Sequence, residues 1–325
     1  MRYSTLSTKI QQSVRLKSIF LLSRPLNLLI VAVTMYISRY VVLVDVLEKR
    51  GNTELALNSI HFGALVLSAL LITAAGNVIN DYFDQRVDKI NKPEKVIVGK
   101  AVSRKVAILI HQGMNLLALG LAAWVSVQAS YWQLLILPLL IMFFLWWYSP
   151  VFKKKPLVGN LIVAFCTAAV PVFAVVADLH VLKDSLMAVA WQGLSLYAYA
   201  WLWIFGVAAF AFTLTMIREA IKDAQDEPGD REGQYQTIPI IWGMKRTKSY
   251  VLVWITVFFL MTGWCVTRIT STTDMLWLAC CLVVPMVTAL YYVLQAKKPI
   301  DFGKASRWIK IVMLGGLVLI LAILA

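Results

Sequence analysis

The chain has 325 residues, of which 60% are hydrophobic and only 15% are charged, and its mean hydropathy is +0.74. A soluble globular domain is nearer half apolar and a quarter charged, so this composition excludes an ordinary soluble domain. The formal net charge of +14 is spread over several polar segments. Nucleic-acid-binding domains instead gather their basic residues on one face, so no nucleic-acid partner is expected.

Nine apolar segments follow one another along the chain, and each is long enough to cross a bilayer, which takes about 20 apolar residues in a helix. They are predicted at residues 19–41, 62–82, 105–127, 131–148, 157–177, 191–215, 249–267, 275–295 and 307–325. The stretches between them leave no room for a separate soluble domain. We therefore expect an all-α, polytopic membrane protein with one membrane domain over residues 1–325.

The first 18 residues are polar and basic. They are too long and too mixed for the leading region of a signal peptide, and no small-residue cleavage site follows them. We expect them to form a segment that lies on the cytoplasmic surface of the membrane. Pro25, in the stretch "SRPLN", is expected to open or kink the first helix, because proline has no N–H to donate.

Lysine and arginine are distributed unequally between the two sides of the predicted membrane domain. All but five of the 31 basic residues precede the first span or follow the second, fourth, sixth and eighth spans. The five on the opposite side are Arg39, Lys49, Arg50, Lys183 and Arg268. Because cytoplasmic loops carry the excess of basic residues, the N-terminus is predicted inside a cell membrane and the C-terminus outside. The basic side would also bind anionic lipid headgroups.

Cysteine and histidine give no sign of a metal centre. The residues are Cys166, Cys265, Cys280 and Cys281, all in apolar spans, and the scattered His61, His111 and His180. None of the cysteines has metal-ligand spacing with a histidine. Buried, small apolar side chains are the expected role of the cysteines, and haem or zinc chemistry is not indicated.

The second predicted span ends in an acidic stripe. Asn77, Asp81, Asp84 and Asp88 are spaced i, i+4, i+7 and i+11, which places them on one face of a helix. Each charge would cost about 2.5–3.5 kcal/mol at the centre of a bilayer. A continuous helix over residues 62–88 would be about 40 Å long, longer than the apolar core of about 30 Å. The acidic end is therefore expected to reach the cytoplasmic interface or a polar cavity.

The same spacing recurs at the end of the sixth span. Asp223, Asp226 and Asp230 are each displaced by 142 residues from an aspartate of the first stripe, and Glu219 takes the place of Asn77. Both motifs end even-numbered spans, so both face the cytoplasm. Internal repeats in membrane proteins often build a site where the two halves meet, and two unrelated solvated helix ends would not need to share a spacing.

Two acidic triads at a membrane surface indicate a magnesium site. Mg²⁺ prefers oxygen ligands and is commonly held by a few carboxylates together with phosphate oxygens. Two or three Mg²⁺ ions would neutralise the developing charge of a diphosphate leaving group, and the apolar spans would hold a lipid tail. The pattern therefore favours Mg²⁺ as cofactor and an isoprenoid diphosphate as substrate.

These motifs resemble those of the UbiA superfamily of intramembrane prenyltransferases. The stretch "NVINDYFDQRVDKINKP" is similar to the first aspartate-rich motif of the family, and "REAIKDAQDEPGDREGQYQTIPIIWG" to the second. The resemblance implies nine transmembrane helices around a central cavity that is capped on the cytoplasmic side. It also implies ionisation of an allylic diphosphate and alkylation of an acceptor. By this resemblance, the Mg²⁺–diphosphate would be bound by Asn77, Asp81, Asp84, Asp88, Asp223, Asp226 and Asp230.

Further stretches resemble the ether-lipid branch of that family, in which a geranylgeranyl group is transferred to a glycerol phosphate that already carries one prenyl ether. These stretches are "SRPLN", "INKPEKVIVGKAVS", "YSPVFKKKPLVGNLIVA" and "REAIKD". The substrate-binding residues that they suggest are Arg24, Asn27, Lys92, Tyr148, Lys153, Lys154, Lys155, Arg218 and Lys222. Arg218 and Lys222 either steady diphosphate oxygens or simply pair with the aspartates. The partners expected are a prenyl diphosphate donor, a lipid-like acceptor and membrane lipids, and no protein partner is implied.

Alternatives stay open from the sequence. The lysines at 153–155 either hold an acceptor phosphate or simply mark the cytoplasmic side. The aromatic run that precedes them either steadies an allylic cation or forms an interfacial belt. An aromatic acceptor such as 4-hydroxybenzoate is the alternative within the same class of enzyme. Transport of an anionic solute is the alternative from another class, although it does not require two matched acidic motifs.

Overall fold

The computed structural model describes residues 18–267 and 271–324, and within these ranges nine helices are long and apolar enough to cross a membrane. They are α1 Pro25–Glu48, α2 Ser59–Phe83, α3 Arg104–Gln128, α4 Trp132–Phe152, α5 Val158–Val181, α6 Leu196–Glu232, α7 Ile238–Val266, α8 Thr272–Gln295 and α9 Pro299–Leu324. The predicted all-α class and span count are confirmed. The predicted N-terminal surface segment lies, except for its last residue, outside the described residues.

Several of these helices change their pitch along their length. Wider π-helical turns occupy Ser38–Leu43 in α1, Tyr148–Phe152 at the end of α4 and Ala279–Val283 in α8. Tighter turns open α4 at Trp132–Leu135 and α9 at Pro299–Asp301. The connections hold short helices at Gln85–Asn91, Pro93–Lys95 and Lys183–Met187, and an antiparallel hairpin of β1 Ala190–Trp191 with β2 Leu194–Ser195.

Local capping chemistry fixes where the helices begin. Asn58, Ser103 and Ser195 each accept a hydrogen bond from a backbone N–H in the first turn of α2, α3 and α6, which satisfies a donor that has no partner inside the helix. Pro25 occupies the first position of α1, where its missing N–H costs nothing. The preceding Arg24 has a left-handed backbone, with φ of 55°. Pro25 therefore opens the first helix, as predicted.

The acidic stripe of the first motif is not on one continuous helix, so the prediction of an unbroken helix over residues 62–88 is wrong. The backbone of Asp84, with φ of −83° and ψ of 6°, separates α2 from the short helix Gln85–Asn91. The side chain of Asp84 is only 2% exposed. The break therefore coincides with the point at which one carboxylate of the stripe turns into the protein.

The second motif, in contrast, is carried by an uninterrupted helix. Helix α6 continues for 37 residues, well past the predicted end of the sixth span at residue 215, and includes all three aspartates of that motif. The next helix also begins earlier than predicted, with Pro239 in its first turn, but it is broken at Gly243, whose φ of 75° and ψ of 163° favour glycine. Hydropathy marks only the apolar part of a helix, so it missed both polar extensions.

The interior is built from two hydrophobic clusters that share α6. The first surrounds Leu65 and Val175 and includes Ile204 of α6, while the second surrounds Met286 and includes Ile221 of the same helix. All five residues are fully buried. Because its N-terminal half packs in one cluster and its C-terminal half packs in the other, α6 ties the two halves of the domain together.

Helices α8 and α9 approach each other closely at Gly315. A Cβ atom built at this position would lie 2.2 Å from the backbone oxygen of Cys281, a distance that real structures do not show. At the neighbouring Gly316 the nearest atom to such a Cβ is a methyl carbon of Leu282 at 3.7 Å, an ordinary contact. Position 315 therefore has no room for a Cβ atom, whereas position 316 can accept one.

We expect Gly315→Ala to destabilise the protein, because the added methyl group must push the two backbones apart. Overpacking of this kind costs about 1–3 kcal/mol. The matched change Gly316→Ala should be neutral or stabilising, since alanine is favoured over glycine in a helix by about 1 kcal/mol. Thermal unfolding of the detergent-solubilised protein measures both. Equal unfolding midpoints in the two variants would contradict the close packing described here.

Candidate active site

The two aspartate-rich motifs meet at one end of the helical domain. Lys92, which follows the first motif, donates hydrogen bonds of 2.7 Å and 2.9 Å from Nζ to the carboxylate of Asp226 in the second motif. Beside it, the amide of Asn91 donates to the backbone oxygen of Asp226 at 2.9 Å. The structure thus brings together two segments that are more than a hundred residues apart.

Asp84 is the most completely bonded carboxylate of the two motifs. Its Oδ2 accepts hydrogen bonds from Asn80 at 3.0 Å and from the ammonium of Lys153, and its Oδ1 accepts one from the hydroxyl of Tyr235 at 3.1 Å. Burial and the charge of Asp84 raise the pKa of Tyr235, so its hydroxyl stays protonated and donates. A carboxylate side chain that is 2% exposed requires such partners, because an unpaired buried charge is costly.

Lys153 lies between the two motifs. Its side chain is 14% exposed and forms an ion pair with Asp84. Burial opposes its charge, but the attraction of Asp84, supplemented by that of Asp230, outweighs burial and raises the pKa of Lys153 well above its ordinary value. Lys153 is therefore a permanent positive charge that faces aspartates of both motifs.

The other two lysines of the triplet do not share this position. The side chains of Lys154 and Lys155 are exposed, and the Nζ of Lys154 lies 5.9 Å from the ring centroid of Tyr235. The structure therefore divides the predicted triplet into one lysine inside the acidic site and two at its surface.

Arg24 and Asn77 connect the entrance of α1 to the first motif. The guanidinium of Arg24 donates to Oδ1 of Asp81 at 2.6 Å, with side-chain exposures of 37% and 18%. The amide of Asn77 donates to the backbone oxygen of Ser23 at 2.9 Å. Asn77 thus fixes the backbone just before Arg24, which places the guanidinium over the acidic stripe.

The second motif has its own set of partners. Asn160 of α5 donates to Oδ2 of Asp223 at 3.1 Å. Glu219, one turn earlier on α6, is paired with Arg218 and lies 3.8 Å from the Nζ of Lys222. The predicted substrate-binding cations Arg218 and Lys222 are therefore held beside the aspartates by a glutamate of the same helix.

Burial shapes the environment of both Asp88 and Asp230. Burial, and then the negative charges of Asp84 and Asp81, raise the pKa of Asp88, while Lys153 and Lys222 act in the opposite direction. Asp230 is 1% exposed, and its Oδ1 accepts no hydrogen bond from any of the described residues. A buried carboxylate oxygen without a donor is unusual in native proteins and calls for a ligand such as a cation.

A cavity of about 230 Å³ lies next to these residues and extends into the membrane domain. The charged and amide side chains that line it are Arg24, Asn27, Asn77, Asn80, Arg218, Glu219, Lys222 and Lys310, and the phenol of Tyr148 lines it as well. Farther in, the lining is mainly apolar and includes Ile72, Leu145 and Val170, together with the threonines Thr73, Thr167 and Thr215. In the described part of the chain none of the six aspartates lines the cavity itself. The cavity is thus bounded by a polar rim, and the aspartates lie behind that rim.

The donor set of the two motifs fits Mg²⁺. All six candidate ligands are carboxylates, which supply the hard oxygen donors that Mg²⁺ prefers, and Asp230 presents a buried oxygen that lacks a donor. Within residues 18–267 and 271–324, however, no three acidic, histidine or cysteine side chains converge as a ready-made metal cluster. Three of the aspartates are turned instead toward Arg24, Lys92 and Lys153.

The structure brings all of the predicted site residues to this region except Lys154 and Lys155, which stay at the surface. Sequence reasoning missed Asn80, Asn160 and Tyr235 as partners of the aspartates. Asn160 lies inside the quoted stretch "YSPVFKKKPLVGNLIVA", and Tyr235 follows the second motif directly. A polar residue within an apolar span, and an aromatic hydroxyl beside an acidic motif, were the available signals.

The chain matches one known protein family over most of its length. The family described as UbiA prenyltransferase family covers residues 48–317. The digeranylgeranylglyceryl phosphate synthase of Methanoregula boonei is 34% identical over 196 residues, which is 59% of this chain and 62% of that protein. The aligned region therefore spans less than two thirds of this curated relative.

Solved structures show the same fold over nearly the whole chain. A structure described as digeranylgeranylglyceryl phosphate synthase in membranes is 21% identical and superposes with a TM-score of 0.61, covering 95% of this chain and 99% of the other. A UbiA homolog from Archaeoglobus fulgidus bound to GPP and Mg²⁺ is 15% identical, with a TM-score of 0.53 and coverage of 93% and 99%. At these identities the likeness establishes the fold.

We expect Lys153→Gln to destabilise the protein strongly, because it leaves the buried carboxylate of Asp84 without its cation. Breaking a buried ion pair from one side costs about 3–5 kcal/mol. The paired control Lys154→Gln with Lys155→Gln should change stability by no more than about 0.5 kcal/mol, since both side chains are exposed. Thermal unfolding in detergent compares the two proteins.

A second variant separates the charge effect from lost packing. Combining Lys153→Met with Asp84→Asn removes both charges, so the double variant should unfold at a higher temperature than Lys153→Gln alone. If it unfolds at a lower temperature, the ion pair is not what stabilises this end of the domain.

Proposed function

Because the chain belongs to the UbiA prenyltransferase family, we propose that it transfers a prenyl group from its diphosphate to a lipid-like acceptor within the membrane. The donor in this proposal is geranylgeranyl diphosphate. The acceptor is a glycerol phosphate that already carries one geranylgeranyl ether. The curated relative at 34% identity is a digeranylgeranylglyceryl phosphate synthase, which supports this choice of acceptor over an aromatic one.

The observation that carries the proposal is the meeting of both acidic motifs beside one cavity that is polar at one end and mainly apolar along the rest. The direct contact between Lys92 and Asp226 joins the motifs, and Arg24 belongs both to the rim of the cavity and to the ion pair with Asp81. A prenyl diphosphate has the same polarity, with a charged head and an apolar tail.

Mg²⁺ ions would be held by carboxylates of Asp81, Asp84, Asp88, Asp223, Asp226 and Asp230. When bound, they would supply positive charge that stabilises the diphosphate as it leaves the allylic carbon. The oxygen of Asp230 that lacks a donor among the described residues supports a cation at this position. Asn160 and Tyr235 would orient two of these carboxylates through the hydrogen bonds that they already donate.

The basic residues of the rim would bind the head of the donor. Arg24, Arg218 and Lys222 all line the cavity, so their charged groups are within reach of a diphosphate placed beneath the aspartates. Hydrogen bonds between charged partners are about twice as strong as neutral ones. The apolar lining would receive the tail and exclude water, which protects an allylic cation from hydrolysis.

The acceptor would approach from the side of the triplet Lys153–Lys155. Lys153 is committed to Asp84, so we assign the acceptor phosphate to the exposed Lys154 and Lys155. In the reaction, the hydroxyl oxygen of the acceptor forms a bond to the allylic carbon, the carbon–oxygen bond to diphosphate breaks, and the hydroxyl proton is released. Tyr148 lines the cavity beside this loop and would help to position the hydroxyl.

The proposed orientation places this site at the cytoplasmic face of a cell membrane. It follows from the excess of lysine and arginine at the end of the domain where the two motifs meet. Arg50 and Lys183, two of the few basic residues assigned to the opposite side, lie on connections between spans.

Purified protein with Mg²⁺ should release pyrophosphate from labelled geranylgeranyl diphosphate when a geranylgeranylglycerol phosphate is added, and should form the doubly prenylated product. Asp223→Asn should lower turnover at least about a hundredfold, since it removes a proposed metal ligand. Glu227→Gln is the matched control, because Glu227 is on the same helix but pairs with Arg231, and it should keep normal turnover. Product extraction and chromatography measure both.

The same assay tests the alternatives. Turnover with 4-hydroxybenzoate but not with the glycerol phosphate would replace the proposed acceptor. Normal turnover of Asp223→Asn would refute the proposal that both motifs form the metal site.

The orientation is tested by labelling intact cells with a membrane-impermeant amine reagent. Lys183 is exposed and should be labelled from outside, whereas Lys154 and Lys155 should be labelled only after the membrane is opened. Lys49 is a poorer reporter, because its Nζ donates to a carboxylate oxygen of Asp45 at 2.6 Å. The reverse pattern of labelling would move the site to the outer face.

A further inference from the structure

Two hydrogen bonds of one side-chain amide fix the short helix of the first motif to the helix that carries the second motif. Asn91, the last residue of the short helix Gln85–Asn91, donates from Nδ2 to the backbone oxygen of Asp226 at 2.9 Å. Its Oδ1 accepts a hydrogen bond from the backbone N–H of Gly229, also at 2.9 Å. One side-chain amide therefore satisfies an acceptor and a donor in the same turn of α6.

Any side chain at position 229 would collide with the amide of Asn91 in its present position. A Cβ atom built on Gly229 would lie 2.5 Å from Nδ2 of Asn91 and 2.6 Å from its Oδ1. A second close approach follows one turn later, where a Cβ on Gly233 would lie 2.7 Å from a methyl carbon of the buried Val87. The short helix thus rests directly on the backbone of α6.

The sequence of α6 explains why a side chain from another segment can reach its backbone at this turn. Pro228 lies inside the helix and has no N–H of its own, which disturbs the regular hydrogen-bonding pattern around it. Gly229, the next residue, adds no side chain to shield its backbone. Because Gly229 has no side chain, the amide of Asn91 can reach the main-chain groups of this turn.

The position of this contact relates it to the acidic residues on both sides. Asp88 is on the same short helix as Asn91, and Gly229 lies between Asp226 and Asp230 in the second motif. The distance and rotation between the last aspartate of the first motif and two aspartates of the second are thus set where Asn91 meets Gly229.

We propose that Asn91 is a positioning residue that holds the two aspartate-rich motifs in register for a divalent cation, with Gly229 as its required counterpart. Asn91 does not touch the cation in this proposal. It acts through the backbone of Asp226 and Gly229, in the way that outer-shell hydrogen bonds hold metal ligands in place. The inference rests on the proposed function, because that function supplies the cation.

The test uses Mg²⁺ alone, without any prenyl donor, and follows thermal unfolding of the full-length protein in detergent as Mg²⁺ is titrated. Loss of an outer-shell partner typically weakens metal binding about tenfold to a hundredfold. We therefore expect Asn91→Ala and Gly229→Ala each to raise the Mg²⁺ concentration of half-maximal stabilisation by at least about tenfold. Lys89→Ala, at an exposed position of the same short helix, should leave that concentration unchanged.

A double-variant cycle separates a specific contact from general damage. Because both single changes disrupt the same pair of hydrogen bonds, the double variant should need no more Mg²⁺ than Asn91→Ala alone, rather than the product of the two effects. In the double variant, the loss of the Asn91 amide also makes room for the methyl group that Gly229→Ala adds. Asn91→Ala creates no steric clash, so it keeps the test decisive if Gly229→Ala does not fold.

Two outcomes would overturn the inference. One is a lower unfolding temperature in the variants with no change in the Mg²⁺ dependence, which would make Asn91 a structural residue only. The other is multiplicative effects in the double variant. A wild-type protein that shows neither stabilisation by Mg²⁺ nor prenyl transfer would instead refute the proposed function, and the inference with it.

Discussion

The cost of burying carboxylates at a membrane surface governs the architecture of this end of the protein. Charged side chains are expensive within a bilayer unless they are paired, and two motifs bring six aspartates to one place. The structure compensates them with cations from segments that are far apart in the sequence. These are Arg24 before α1, Lys92 after the first motif and Lys153 between α4 and α5.

Each of these ion pairs also joins two segments of the fold. The ion pair of Arg24 with Asp81 closes the start of α1 against α2, and that of Lys153 with Asp84 closes the loop between α4 and α5 against the same helix. The pair of Lys92 with Asp226 joins the first half of the chain to α6. Surface ion pairs contribute little to stability, but the pair of Lys153 with Asp84 is buried. The aspartates therefore also hold together the segments that surround this end of the cavity.

The long helix α6 makes this arrangement rigid. Its N-terminal half packs around Ile204 in one hydrophobic cluster, and its C-terminal half packs around Ile221 in the other. The turn that carries Asp226 and Asp230 is the continuation of that packed helix. The second motif is thus held by the core of the domain, whereas the first motif is split at Asp84 and depends on side-chain contacts for its position.

The features that sequence alone predicted are those written in local patterns. Span count follows from hydropathy, and the pairing of the motifs follows from a spacing that recurs. The break at Asp84, the extension of α6 and the outward position of Lys154 and Lys155 depend on contacts between distant segments. The roles of Asn160 and Tyr235 depend on which side chain reaches which carboxylate. No periodicity carries that information, because it arises only when the chain is packed.

Equal spacing in the two motifs does not give equal environments. The middle aspartate of the first motif, Asp84, is 1% exposed and accepts hydrogen bonds from three side chains. The middle aspartate of the second, Asp226, has a side chain that is 15% exposed and receives only Lys92 among the described side chains. The last aspartate of the second motif, Asp230, keeps one buried oxygen without a donor in the described structure. The repeat therefore provides two sets of carboxylates at one spacing, and their neighbours commit Asp84 to holding the fold and leave Asp230 available to a ligand.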